Sequence, residues 1–139
     1  MITLEYPLSL NSIDTIKEYI QDKVHELQKC FAITEKRIDI HICNYEDSSM
    51  TAEFYYDNEY SICDITVNIA KITDKTMLDR CIYHEFFHCL TSEFKVFYRT
   101  AVLCARDDMA DILYESFRRE FETIAMRLTD YWLRSLHPE

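Results

Sequence analysis

The run Tyr83-His84-Glu85-Phe86-Phe87-His88 sets the terms for the rest of the chain. His84 and His88 are four residues apart, which on a helix stacks both imidazoles on one face, one turn apart. Two ring nitrogens so placed can reach one metal ion at roughly 2.0–2.1 Å. Glu85 leans off to the side of that face, where its carboxylate can bond a water on the ion rather than the ion itself, the position of a general base. The flanking residues support the helix. From Asp74 to Leu90 the apolar members Met77, Leu78, Cys81, Ile82, Phe86, Cys89 and Leu90 recur at helical spacing, and Asp74 can cap the N-terminus. Met77, Cys81, His84 and His88 share one stripe, so the histidines point along a partly buried face. The competing reading is a helix carrying two unconnected histidines; the shared stripe favours the metal.

Upstream, Pro7 argues for an extended start, and Asn11 or Ser12 can cap a helix that runs to about Phe31. Its apolar members are Ile13, Ile16, Ile20, Val24, Leu27 and Phe31. From Arg37 the period changes to two: Ile38, Ile40 and Ile42 alternate with Asp39, His41 and Cys43. A polar turn over 44–49 precedes a second strand, which puts Ala52, Phe54 and Tyr56 on one face. After the turn Asp57-Asn58-Glu59, Ile65, Val67 and Ile69 alternate with Asp64, Thr66 and Asn68. Three strands joined by short links predict an antiparallel meander. Downstream, residues 91–106 read either as a further helix after a break at Thr91-Ser92 or as a lid. Asp107 and Asp108 offer a second cap. A long helix follows from Met109 to about Leu136, with Leu113, Phe117, Phe121, Ile124, Leu128 and Trp132 along one side. The expected architecture is a single α+β domain over residues 1–139: an N-terminal helix, a three-stranded mainly antiparallel sheet, the histidine helix and a long C-terminal helix.

Composition removes several functions. A net charge of −10 opposes binding to nucleic acid and to anionic membrane surfaces, but is compatible with a basic peptide. No apolar run approaches a membrane span, and the N-terminus lacks the basic and apolar regions of a secretory signal. Six cysteines without a Cys-x-x-Cys pair read as buried reduced thiols in a cytoplasmic protein. The chain has no glycine, which excludes glycine-rich phosphate loops and dinucleotide fingerprints. Turns that need positive φ must then use residues such as Asn44, Asp47 or Asn58.

Two histidines leave a metal site incomplete, because a catalytic zinc commonly takes three protein ligands and keeps an open position. His25 lies at the edge of an apolar stripe, His41 faces away from the isoleucine row, and His137 lies in the tail, so all three are poor ligands. A glutamate on the last helix is the better source, and Glu115, Glu120 and Glu122 are available. By helical phase Glu120 lies nearer the apolar stripe and Glu122 well off it. If that stripe faces the histidine helix, Glu120 is favoured; if it packs elsewhere, Glu122 is free to reach the metal.

The motif His84-Glu85-x-x-His88 on a helix after a small sheet, followed by Glu122-Thr123-Ile124-Ala125 on a later helix, resembles the glutamate-type zincin metallopeptidases, in particular their small phage-type members. The resemblance spans roughly residues 38–133. It implies a zincin-like fold, zinc held by His84, His88 and Glu122, Glu85 as general base, and a peptide or protein substrate. Peptide could then add as a strand to the sheet edge, and Tyr98 or Tyr114 could stabilise the oxyanion. The alternative is a catalytically silent module on the same scaffold that binds metal or protein in regulation or assembly.

Overall fold

The computed structural model describes residues 2–57, 59–92 and 94–137, with the backbone alone over 94–98. Its elements run α1 (Ile13–Cys30), β1 (Arg37–Cys43), β2 (Ala52–Asp57), β3 (Ile62–Asn68), α2 (Lys75–Leu90), α3 (Phe94–Cys104) and α4 (Asp107–Leu136), with 3-10 turns at Leu8–Leu10 and Ile69–Lys71. The class is α+β, and residues 94–104 resolve the helix-or-lid alternative in favour of a helix.

The first helix follows its local signals. Ser12 Oγ accepts the Thr15 N–H at 3.1 Å, and Ile16, Ile20, Val24 and Leu27 are buried at the expected spacing. Ile13, in the first turn, is instead 53% exposed. At the other end Ile33 N–H reaches back to the Gln28 carbonyl at 2.9 Å, which closes the helix with Ala32 in the left-handed region at φ 55. This is a position where glycine is usual. Ala32 and Ser61 (φ 54) carry the positive φ among the described residues, not Asn44 or Asp47; Asn58 lies outside the described residues. The side-chain preference of Asn and Asp is overridden where helix closure and the β2–β3 turn fix the backbone.

The sheet departs from the expected meander. Its order is β1-β3-β2, with β3 parallel to β1 and antiparallel to β2. Apolar rows cross it at Ile38–Cys63–Tyr56, Ile40–Ile65–Phe54 and Ile42–Val67–Ala52. The centre goes to β3 because its inward residues Cys63, Ile65 and Val67 are fully buried, whereas β1 and β2 keep partly exposed members. The link 44–51 must then step across the end of β3, and Asn68 holds it there. Its Oδ1 accepts the Tyr45 N–H at 2.9 Å, and its Nδ2 donates to the carbonyls of Tyr45 and Met50, both at 2.9 Å. Asn68, expected on the outward row, is completely buried by that loop. The outer face of the sheet stays polar, with His41 exposed and paired to Asp64 at 2.9 Å. One solvated face is usual where antiparallel pairing contributes.

Helix α2 starts where its sequence places it: Asp74 Oδ1 accepts the Met77 N–H at 2.8 Å. It packs against α4, β2 and α1, so that Ile82, Tyr83 and the whole run from Glu85 to Cys89 are buried. Lys36, in the link from α1 to β1, donates to the Cys89 carbonyl and to Ser92 Oγ, both at 2.9 Å, placing a cation at the negative end of the helix. In α4, Asp107 and Asp108 occupy the first turn, and the N-cap is Arg106, which makes no side-chain cap.

The face that α4 buries is also different. Phe121, Ala125 and Thr129 are buried, while Phe117 and Ile124 are 36% and 42% exposed. The buried arc is rotated by roughly 60° from the one that the large apolar residues predict. Small residues win because α2 presents bulky side chains, and Ala125 and Thr129 let the two helices approach. No helix among the described residues is long and apolar enough to cross a membrane.

Candidate metal centre

The rotation of α4 brings Glu122 to α2. Glu122 Oε2 lies 3.2 Å from His84 Nε2, and Glu122 Oε1 lies 3.1 Å from His88 Nε2. One ligand atom from each of the three residues falls within 4.8 Å of the others. Ligand atoms about a tetrahedral ion at 2.0–2.1 Å sit about 3.3 Å apart. Each histidine nitrogen is at about that distance from one of the two Glu122 oxygens, and the full set, within 4.8 Å, closes on one ion by a small movement of the exposed carboxylate. Two neutral imidazoles and one carboxylate suit zinc and its neighbours among the divalent transition metals, and leave a fourth position open. Glu120 lies on the opposite flank of α4, exposed and away from the histidines, and Glu115 pairs with Arg118 at 3.3 Å. His25 and His137 are exposed.

The rings are held by packing. His88, its side chain 3% exposed, packs against Phe54 of β2 and Phe121 of α4, at centroid distances of 5.7 and 4.5 Å and interplanar angles of 21° and 30°, and the two phenylalanine rings also meet each other at 6.3 Å. His84 stands edge-on to it at 4.8 Å and is more open, at 24%. Such clamping fixes a ligand's direction before any ion arrives. Neither phenylalanine stands out in the sequence as a site residue. Their only signal is that each falls on an inward face, Phe54 on a strand and Phe121 directly before Glu122.

A cleft of about 580 Å³ opens over the three ligand atoms. That is within the usual size of a small-molecule or peptide-side-chain pocket. Edge strand β2 contributes Ala52 to Phe54 to its wall, with Thr51 just before it, α2 contributes Arg80, Cys81 and Glu85, and α4 contributes Tyr114 and Arg118. Glu85 is 6% exposed yet lines this space, so its carboxylate meets the cleft and not bulk solvent. Cys81 stays a neutral thiol: burial pushes its ionisation up, a hydrogen bond with Thr51 pulls part of the way back, and the Glu85 charge pushes it up again. Of the two tyrosines suggested for an oxyanion, Tyr114 borders the cleft, and the Tyr98 side chain lies outside the described residues.

Two arginines of the cleft carry only a weak signal in the sequence. Arg80 is one turn before His84 and Arg118 one turn before Glu122, so the i−4 spacing from a ligand was the available signal. Arg80 bonds Asp130 at 2.6 Å and ties α2 to α4.

No family profile, no curated protein and no solved structure matches the chain.

Proposed function

We propose that the chain is a zinc-dependent peptidase of the zincin-like, glutamate-ligand kind. The observation that carries this reading is the Glu122 carboxylate, which comes from a separate helix to meet both histidine nitrogens, with Glu85 buried at the same cleft. His84, His88 and Glu122 hold the ion. When bound, zinc supplies Lewis acidity, which lowers the pKa of a water and polarises a scissile carbonyl. Glu85 takes a proton from the attacking water and returns it to the amide nitrogen as the bond breaks. Its enclosure keeps competing solvent from that carboxylate. Phe54 and Phe121 keep His88 from turning away.

Peptide binding rests on β2. It is an edge strand whose residues Ala52–Phe54 border the cleft, and its outer edge can take an extended peptide by strand addition. The six free cysteines support a reducing compartment, the cytoplasm. Metal analysis of the purified chain, with peptide-library cleavage by wild type and Glu85→Gln, tests the proposal. The variant keeps about one zinc per chain and loses at least about a hundredfold in turnover. Full activity in Glu85→Gln removes the mechanism. Zinc without any cleavage in the wild type leaves the catalytically silent metal-binding module.

A further inference from the structure

We propose that Arg118 makes this cleft selective for a carboxylate next to the reacting bond. The inference rests on the peptidase reading. Tyr114, Arg118 and Glu122 follow one another at four-residue steps on α4, and all three border the cleft. Each step advances about 6 Å along the helix. An extended peptide advances about 3.3 Å per residue, so the guanidinium stands one or two residues away from a carbonyl held over Glu122.

The two arginines of the cleft differ in their commitments. Arg80 is fixed to Asp130 on the neighbouring helix at 2.6 Å. Among the described residues Arg118 meets only Glu115, of its own helix, at 3.3 Å, with the two side chains 62% and 56% exposed. An exposed pair of this kind holds its partners loosely, and an incoming carboxylate can replace Glu115. The planar guanidinium fork matches a carboxylate in two parallel hydrogen bonds. The Tyr114 hydroxyl, half-exposed on the preceding turn, supplies a neutral donor beside it.

Charge explains why one arginine matters here. The chain carries −10, and Glu53, Glu85 and Glu122 all face the cleft. Zinc would receive the reacting carbonyl, but a carboxylate one or two residues away meets these glutamates unless a local cation receives it. With Arg80 paired to Asp130, Arg118 is the cation placed to do so. The carboxylate has two sources: the C-terminus of a short peptide, or an aspartate or glutamate side chain within a longer one.

Calorimetry on the zinc-loaded full chain separates this inference from the reading beneath it. The probes are succinic acid monohydroxamate and its carboxamide analogue, which share the metal-binding group and differ only in the distal charge. Wild type binds the acid at least about tenfold tighter than the amide. The ratio falls to near one in Arg118→Met, whose zinc content stays at the wild-type level, and is partly kept in Arg118→Lys. Equal affinity of wild type for the two probes, or a preference that survives in Arg118→Met, overturns the inference and leaves the metal site standing. Failure of both hydroxamates to bind the zinc-loaded chain removes the open position on the metal, and with it the peptidase reading and this inference together. Cleavage of matched peptides then names the source. Loss on C-terminal amidation points to the terminus, loss on Asp→Asn exchange points to the side chain, and indifference to both overturns the inference.

Discussion

His88 shows how single residues divide the work. Its ring packs against two phenylalanines, while its Nε2 faces Glu122 Oε1 at 3.1 Å, so packing holds the ring and the carboxylate meets the nitrogen. Glu122 is the opposite case: its side chain is 52% exposed and is placed by its helix. Second-sphere partners of metal ligands cost about 10–100-fold in affinity, so loss of a direct ligand exceeds about a hundredfold. Glu122→Gln should lose zinc in a competition titration against a chelator, and Glu120→Gln should match wild type. Equal behaviour of the two variants would end the three-ligand assignment. Asn68 is the structural counterpart. It is fully buried and satisfies backbone groups of Tyr45, Met50 and Ala70. Each buried group left unsatisfied costs about 1–3 kcal/mol, and the losses are not additive. Asn68→Ala should lower unfolding free energy by about 3 kcal/mol in urea titration; a change below about 1 kcal/mol would show that water replaces the side chain.

At the scale of elements, what the sequence reveals depends on how local the determinant is. The starts of α1 and α2 are legible because Ser12 and Asp74 satisfy N–H groups three residues away. The pairing of His84 with His88 is legible for the same reason, since it depends on helix pitch alone. Strand order is not, because a period of two says which face is buried and nothing about which strand is central. That choice is made by burial of Cys63, Ile65 and Val67 and by the Asn68 contacts across the crossing link. The face of α4 is misread for a related reason: large apolar residues mark the expected stripe, whereas close approach to α2 selects Ala125 and Thr129. This is why helical phase alone leaves Glu120 and Glu122 open. Ala125→Leu tests the point without touching a ligand. Added volume at a packed helix contact costs about 1–3 kcal/mol and pushes α4 outward. Both stability and zinc affinity should fall, while Ile124→Leu, one residue away and 42% exposed, should leave both unchanged. Wild-type zinc affinity in Ala125→Leu would show that the interhelical distance does not set the site.

The molecule as a whole depends on α1 being fastened to the back of α2, and that fastening has a pH limit. The Tyr19 hydroxyl donates to Asp79, and Lys23 lies 3.7 Å from the same carboxylate and 5.8 Å from the centre of the Tyr83 ring. Both tyrosines are almost completely buried. Burial, then the bond to Asp79, drives Tyr19 ionisation far above its usual value; burial, then the Asp79 charge, pushes Tyr83 up to about 12. Below pH about 10 both phenols are protonated in the folded and unfolded chain alike, so their contribution is fully present and does not vary. Above that pH the unfolded chain releases these protons while the folded chain keeps them. The unfolded state then binds fewer protons, and stability must fall as pH rises, by about 1.4 kcal/mol per pH unit for each tyrosine. The Tyr83 share levels off near pH 12, and the Tyr19 share continues beyond it. Urea midpoints measured between about pH 9 and 12 should therefore decline, and Tyr19→Phe should remove about half of the tyrosine-linked slope while lowering stability at neutral pH through loss of the Asp79 bond. A wild-type profile flat through about pH 11, or a slope unchanged in Tyr19→Phe, would mean that the phenols ionise freely and that the helices are held by apolar contact alone.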